Sequence, residues 1–378
     1  MIPLAEFRPR SVLRVPAHEV PLPRFPVIDA HNHLGPAFGG DWSERSVDAL
    51  LATLDASGVE RLIDLDGGGG DALSRQIERW QARAPDRLSV FAGLDYAAWA
   101  SDPEFGATEA ARLHDSAARG AGGLKVWKLL GLRARDPDGR LVAIDDARLD
   151  PVWSAAASLG LPVVIHIADP IAFFDPLDRT NERYEELTEH PDWHFWPTRS
   201  ADDPDAGGFP PFDELLAGLD RLVGRHHGTT FVGAHVGCAA EDLALVSRML
   251  DRHPNLFVDI AARLGELGRQ PYSARAFFVR YADRILFGTD APADPAVYRL
   301  HYRFLETWDE SFDYGTDEPP GQGRWQIHGL GLPDDVLRKV YRDNARRVLR
   351  LARDGRSAAA TAAAPGGSAA VADSGAAS

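Results

Sequence analysis

Val27-Ile28-Asp29-Ala30-His31-Asn32-His33 is the stretch on which the reading of this chain turns. An apolar pair opens it, and two imidazoles two positions apart close it. Period-2 alternation makes such a run a β-strand and sends His31 and His33 out together at its C-terminal end. Two imidazoles so placed can take two corners of a metal's coordination shell. Outward from this point the same pattern recurs, a short run of Val, Ile, Leu or Phe followed by an amphipathic helical stretch. Strands are expected at 27–30, 61–65, 88–93, 123–127, 162–167, 230–234, 256–259 and 284–288. Helices are expected at 46–57, 72–84, 107–118, 146–159, 212–225, 240–253, 273–281, 295–308 and 334–352. Eight alternating units predict an α/β protein, a (β/α)8 TIM barrel. A doubly wound open sheet is the alternative, but the Gly67–Gly70 run after the second strand carries no phosphate-loop lysine.

The chain has 378 residues and a net charge of −15. An acidic body argues against nucleic acid or an anionic membrane as partner, since both require a basic face. The expected partner is a small-molecule substrate, with a second copy of the chain as an open option. The first 26 residues are broken by Pro3, Pro9, Pro16, Pro21, Pro23 and Pro26 and contain no signal-like apolar core. One cysteine, Cys238, excludes an intrachain disulfide, so a cytoplasmic location is expected. Residues 357–378 are almost only Ala, Gly and Ser and cannot bury enough surface to offset ordering entropy. The organisation is therefore an N-terminal arm at 1–26, a barrel domain at 27–356 and a disordered tail at 357–378.

Other strand ends repeat the chemistry of the first. His166 closes Leu161-Pro162-Val163-Val164-Ile165, His235 closes Thr230-Phe231-Val232-Gly233-Ala234, and Asp290 follows Arg284-Ile285-Leu286-Phe287-Gly288-Thr289. The C-terminal strand ends of a barrel converge on one mouth. Four imidazoles and a carboxylate would then surround one point. A lone histidine after an apolar strand is more often a structural residue, but four placed this way in one chain point to a metal.

Asp29-Ala30-His31-Asn32-His33, the His166 strand, Ala234-His235-Val236-Gly237, Asn255-Leu256-Phe257-Val258-Asp259 and Ile285-Leu286-Phe287-Gly288-Thr289-Asp290 together resemble the amidohydrolase superfamily. The closer resemblance is to its amidohydrolase-related branch, which includes aminocarboxymuconate-semialdehyde decarboxylase-like proteins. It runs from Val27 to Leu351. The resemblance implies one divalent metal, zinc or alternatively manganese, held by His31, His33, His166 and Asp290. It implies that His235 stands beside the metal as electrophile, acid or further ligand, and that Asp290 and His235 are catalytic. The implied activity is metal-dependent hydrolysis of an amide, lactone or ester. Decarboxylation of an aromatic or unsaturated acid is the alternative, because both reactions use the same ligands. A second metal would require Lys125, at the end of the fourth strand, to be carboxylated.

Substrate contacts are expected from Lys125, Trp127 and Arg263, with a salt bridge to Glu266 as the alternative for Arg263. Asp259 is read as a structural hydrogen-bonding group. The fifth unit is longer than a barrel needs, and the excess, residues 169–211, is rich in aromatics, including Phe173 and Trp196. Long ordered loops are usually functional, so this segment is expected to be a lid that lends Phe173 and Trp196 to the pocket. A packing or dimer-contact insertion is the alternative.

Overall fold

In the computed structural model, residues 3, 12–198, 208–315 and 321–351 are described; the expected tail at 357–378 lies outside them. Strands β1 (Val27–Asn32), β2 (Val59–Asp64), β3 (Leu88–Val90, resumed as Ala92–Gly93), β4 (Leu124–Val126), β5 (Val163–Ile165), β6 (Phe231–Gly233), β7 (Leu256–Asp259) and β8 (Ile285–Leu286) pair in chain order, all parallel. The ring closes where the Ala30 amide donates to the Phe287 carbonyl (3.0 Å) and the Asp290 amide to the His31 carbonyl (2.9 Å). The interruption of β3 at Phe91 is bridged on either side, by Gly122 N to Val90 O and Ala92 N to Gly123 O, both 2.9 Å. The result is the (β/α)8 barrel, with every expected strand present.

Two apolar layers hold it. Val59, Leu62, Leu88, Val126, Val163, Phe231, Val258 and Ile285 point outward and pack beneath the helices. Ile28, Ala30, Ile63, Phe91, Val164, Val232, Phe257 and Leu286 point inward, as strand alternation requires. The barrel floor is closed by Ala345, Val348 and Leu349 of the last helical turns. Asn344 ties that plug down by donating to the Ala282 and Ile285 carbonyls, both at 2.7 Å.

Helix ends follow local chemistry. Ser46 and Asp242 accept from the amides of Ala49 and Leu245 and so cap their helices. Gly160 ends the helix Asp150–Leu159 at φ +66°, a conformation glycine adopts without a Cβ penalty. The N-terminal arm is stitched to the barrel by Arg24, whose amide donates to Glu306 (2.9 Å) and whose guanidinium pairs with Asp334 (2.5 Å). Among the described residues no helix is long and apolar enough to cross a membrane.

Candidate metal centre

Two departures from regular geometry aim the histidines. In β1 the pairing with β2 slips by one residue between Asp29 and Asn32. Ile28 and Ala30 already face inward, so unbroken alternation would send His31 and His33 outward. The bulge reverses the phase and turns both into the mouth of the barrel. In β6, Val232 and Ala234 face inward, and His235 would follow outward. Instead residues 235–238 run left-handed, with φ of +58°, +59°, +64° and +62°. Asp290 (φ +51°) and Ala262 (φ +52°) share this conformation. Non-glycine residues held there cost about 1–3 kcal/mol each, and a β-branched Val236 is the most strained of them.

The side chains meet as follows. Nε2 of His33 lies 3.1 Å from Asp290 Oδ1, Nε2 of His31 lies 3.7 Å from Oδ1, and Nε2 of His235 lies 3.7 Å from Oδ2. One ligand atom from each of His31, His235 and Asp290 falls within 4.8 Å of the others. The remaining ring nitrogens are anchored. His31 Nδ1 donates to Asp259 (2.9 Å), His33 Nδ1 to Asp66 (2.7 Å) and His235 Nδ1 to the Ala261 carbonyl (2.8 Å). A carbonyl only accepts, so neutral His235 presents a bare lone pair at Nε2. That suits a ligand and not a proton donor to an oxyanion.

His166 differs. Its Nε2 donates to the Ala168 carbonyl (3.0 Å), with Asp169 at 3.4 Å, which leaves Nδ1 as its free lone pair. It packs edge-on to His235 with ring centroids 4.4 Å apart, but it and His33 stand outside the group of three.

The electrostatics agree with this assignment. Burial drives Asp290 toward its neutral acid, but His31, His33 and His235 outweigh it and hold its carboxyl well below the usual range. Burial, then the charge of Lys125, lowers His31. Burial, reinforced by His166 and Arg263, lowers His235 strongly. Burial pulls His33 down as well, yet Asp290 and Asp66 prevail and raise it to about 9.

These donors fit a divalent cation. Two imidazole lone pairs and an ionised carboxylate converge, and each anchored nitrogen has the partner that orients a ligating imidazole. Lys125 is fully buried and its Nζ donates to His31 Nε2 (3.0 Å), using a lone pair the cation would take over.

A cavity of about 410 Å³ opens over this centre. Its wall includes Trp127, Phe173 and Arg263, as expected, but not Lys125, which is sealed beneath Trp127 with Nζ 5.0 Å from the ring centre. Lys128 lines it instead and pairs with Asp169. Strand alternation ends with β4 at Val126, so parity no longer predicts where residue 128 points.

Trp196 is 43% exposed and does not line the cavity. Phe195 is pinned inward, its amide donating to the Phe173 carbonyl (2.8 Å) and its ring packed 5.1 Å from Phe174, so the next residue faces out. Trp193 takes the expected place, stacked 4.0 Å from His190. Glu266 does not pair with Arg263 but with Arg183, 83 positions away. Sequence reasoning also passed over Phe38, Asp66, Asp169, Arg183, Glu186 and His190. Only Asp66, two residues past the end of β2, and Asp169, three residues past His166, carried a positional signal. Cys238 is buried, and burial pushes its thiol up to about 11, as for an inert side chain.

The amidohydrolase family model matches residues 28–351. No curated protein matches the sequence. Among solved structures the fold is similar to a 2,6-dihydroxybenzoate decarboxylase complexed with 2,6-dihydroxybenzoate (17% identity, 86% of this chain and 100% of that one, TM-score 0.52). It is similar also to an uncharacterized TIM-barrel protein from Bordetella bronchiseptica (15% identity, 86% and 99%, TM-score 0.51). An amidohydrolase II structure aligns comparably (13% identity, 86% and 99%, TM-score 0.51).

Proposed function

Since the chain belongs to the amidohydrolase family, we propose that it is a metal-dependent hydrolase directing water onto the carbonyl of a small amide, lactone or ester. The observation that carries the reading is Asp290, an ionised carboxylate set among His31, His33 and His235 at the edge of the cavity. His31, His235 and Asp290 would hold one divalent cation, with His33 and the Nδ1 of His166 as the nearest further donors. Nitrogen-rich donors favour zinc, with manganese as the alternative. Bound there, the cation supplies Lewis acidity and brings the pKa of water to about 7.

The protein's own groups do the rest. Asp290 accepts the proton of the attacking water and returns it to the leaving group, a transfer worth about 10²–10⁴ in rate. His235, with its Nδ1 proton committed to Ala261, holds position without moving a proton. Trp127, Phe173 and Trp193 flank the substrate and exclude water, and the described part of the insertion, 169–198, acts as the lid over it.

A panel of lactones, amides and hydroxybenzoates, followed for both acid release and CO₂ release, tests this. Acid release that disappears in Asp290→Asn supports it. CO₂ release from a hydroxybenzoate without any hydrolysis overturns it in favour of the carboxy-lyase reading. That second reading draws on the aromatic cavity wall and on the decarboxylase among the fold neighbours.

A further inference from the structure

A second cavity, of about 440 Å³, lies between residues 171–182 of the insertion and the helix Leu264–Arg269. Its lining holds four carboxylates, Asp175, Glu182, Glu241 and Glu266, against one cation, Arg269. Arg269 is engaged by Glu182, with two of its nitrogens 2.8 and 3.0 Å from the carboxylate oxygens. Glu266 is fully buried. Its Oε1 accepts from Arg183, but its Oε2 has no partner. Glu241 repeats the pattern, with Oε1 accepting from the Ile171 amide (3.1 Å) and a buried Oε2 that has none. The groups that act on one another here are two guanidiniums, Arg183 and Arg263, and three carboxylates, Glu186, Glu241 and Glu266. One negative charge is in excess. Burial, then the charge of Glu266, raises the Glu241 carboxyl. Buried carboxylate oxygens without a donor are costly, and what would relieve both at once is a cation. A metal is not the natural choice. Among the described residues, only His31, His235 and Asp290 bring three ligand atoms within 4.8 Å of one another. An ammonium group needs no such shell, and it donates up to three charge-assisted hydrogen bonds. Ile171 and Ala172 supply an apolar side for the carbon chain that carries it.

We propose that this second cavity is a binding site for a primary alkylammonium ion, whose N–H groups are taken by Oε2 of Glu241 and Oε2 of Glu266. The cavity lies between two ties that hold the insertion to the barrel, Ile171 to Glu241 and Glu182 to Arg269. An occupant therefore joins insertion and barrel at a third point. The site is separate from the centre around Asp290 and does not rest on the reaction proposed above.

The test titrates 1,4-diaminobutane and its neutral isostere 1,4-butanediol calorimetrically into the full-length protein. The wild type should bind the diamine tighter than the diol by about tenfold or more. Glu241→Gln, which keeps the acceptor for the Ile171 amide, should remove that preference. Glu189→Gln removes the same charge from an exposed position of the insertion outside the cavity and should bind as wild type does. Hydrogen exchange on the wild type needs no variant: the diamine should slow amide exchange in 171–182 and 264–270. Equal binding of diamine and diol overturns the proposal, and so does protection confined to the barrel mouth. Equal losses in Glu241→Gln and Glu189→Gln overturn it in favour of diffuse attraction to an acidic surface. Calcium or magnesium that binds tighter than the diamine, and is lost in Glu241→Gln, overturns it in favour of a metal site.

Discussion

Asp259→Asn exchanges one oxygen for an NH₂ group at the point where three donors converge. Oδ2 of Asp259 accepts from His31 Nδ1 (2.9 Å), and Oδ1 accepts from the backbone amides of His235 (2.9 Å) and Ala261 (3.1 Å). The amide can be placed two ways. With its oxygen toward the backbone, its NH₂ faces the Nδ1–H of His31. With its oxygen toward His31, it faces two amides instead. The first arrangement orphans one donor and the second orphans two, at about 1–3 kcal/mol each. The cheaper escape is for His31 to move its proton from Nδ1 to Nε2. That is the nitrogen that would hold the cation, so a local repair becomes a loss of ligation. Metal affinity should fall about 10–100-fold, the range for a lost outer-shell partner, equivalent to about 1.4–2.7 kcal/mol. Competition for zinc against a chelating dye measures it. Metal affinity within threefold of wild type, in a variant of unchanged secondary structure, would show that Asp259 does not set the proton position on His31.

Gly288 lies against His31, and an added Cβ would come within 2.8 Å of His31 Cβ and 3.3 Å of its amide nitrogen. Gly288→Ala should push β1 outward at about 1–3 kcal/mol, lowering both Tm and metal affinity; unchanged values of both refute the close approach. His301 is buried, with Nδ1 donating to the Val297 carbonyl (2.8 Å), and burial lowers its pKa to about 4. Its folded pKa lies below its unfolded value of about 6.5, so the unfolded chain takes up the proton first and stability is lost as pH falls from 6.5 toward 4. Between pH 7 and 5 this one group accounts for about 2 kcal/mol. Urea midpoints of His301→Phe should therefore decline less steeply over that range than those of wild type, and parallel declines refute the assignment.

The architecture was legible because each barrel strand is a short apolar run with a helix behind it, and Val163–Ile165 and Leu256–Asp259 announce themselves by composition alone. The candidate site was legible because polar residues close those runs. What composition does not encode is phase. His31 reaches the mouth through a bulge, and His235 through a left-handed turn. Parity counting from Ile28 or Val232 would have sent both the wrong way. Trp196 stands outside the cavity because it lies in a loop that sets its own direction, and Lys125 because the ring of Trp127 covers it. The partnership of Arg183 with Glu266 depends on how the insertion folds back over the barrel, which no local pattern carries.

The seam between β1 and β8 has a consequence for how the molecule comes into being. His31 and His33 belong to the first strand and Asp290 to the end of the last, and they meet only where Ala30 hydrogen-bonds Phe287. Until some 260 intervening residues have been made and arranged, β1 is a strand with an open edge and its imidazoles have no carboxylate opposite them. The floor plug arrives later still, from Ala345 to Leu349. A nascent chain therefore carries half of the candidate site for most of its synthesis, and the exposed edge of β1 is where misassembly would begin. A cation held by His31, His235 and Asp290 would take its ligands from both sides of that seam and so would tie the two ends of the barrel together.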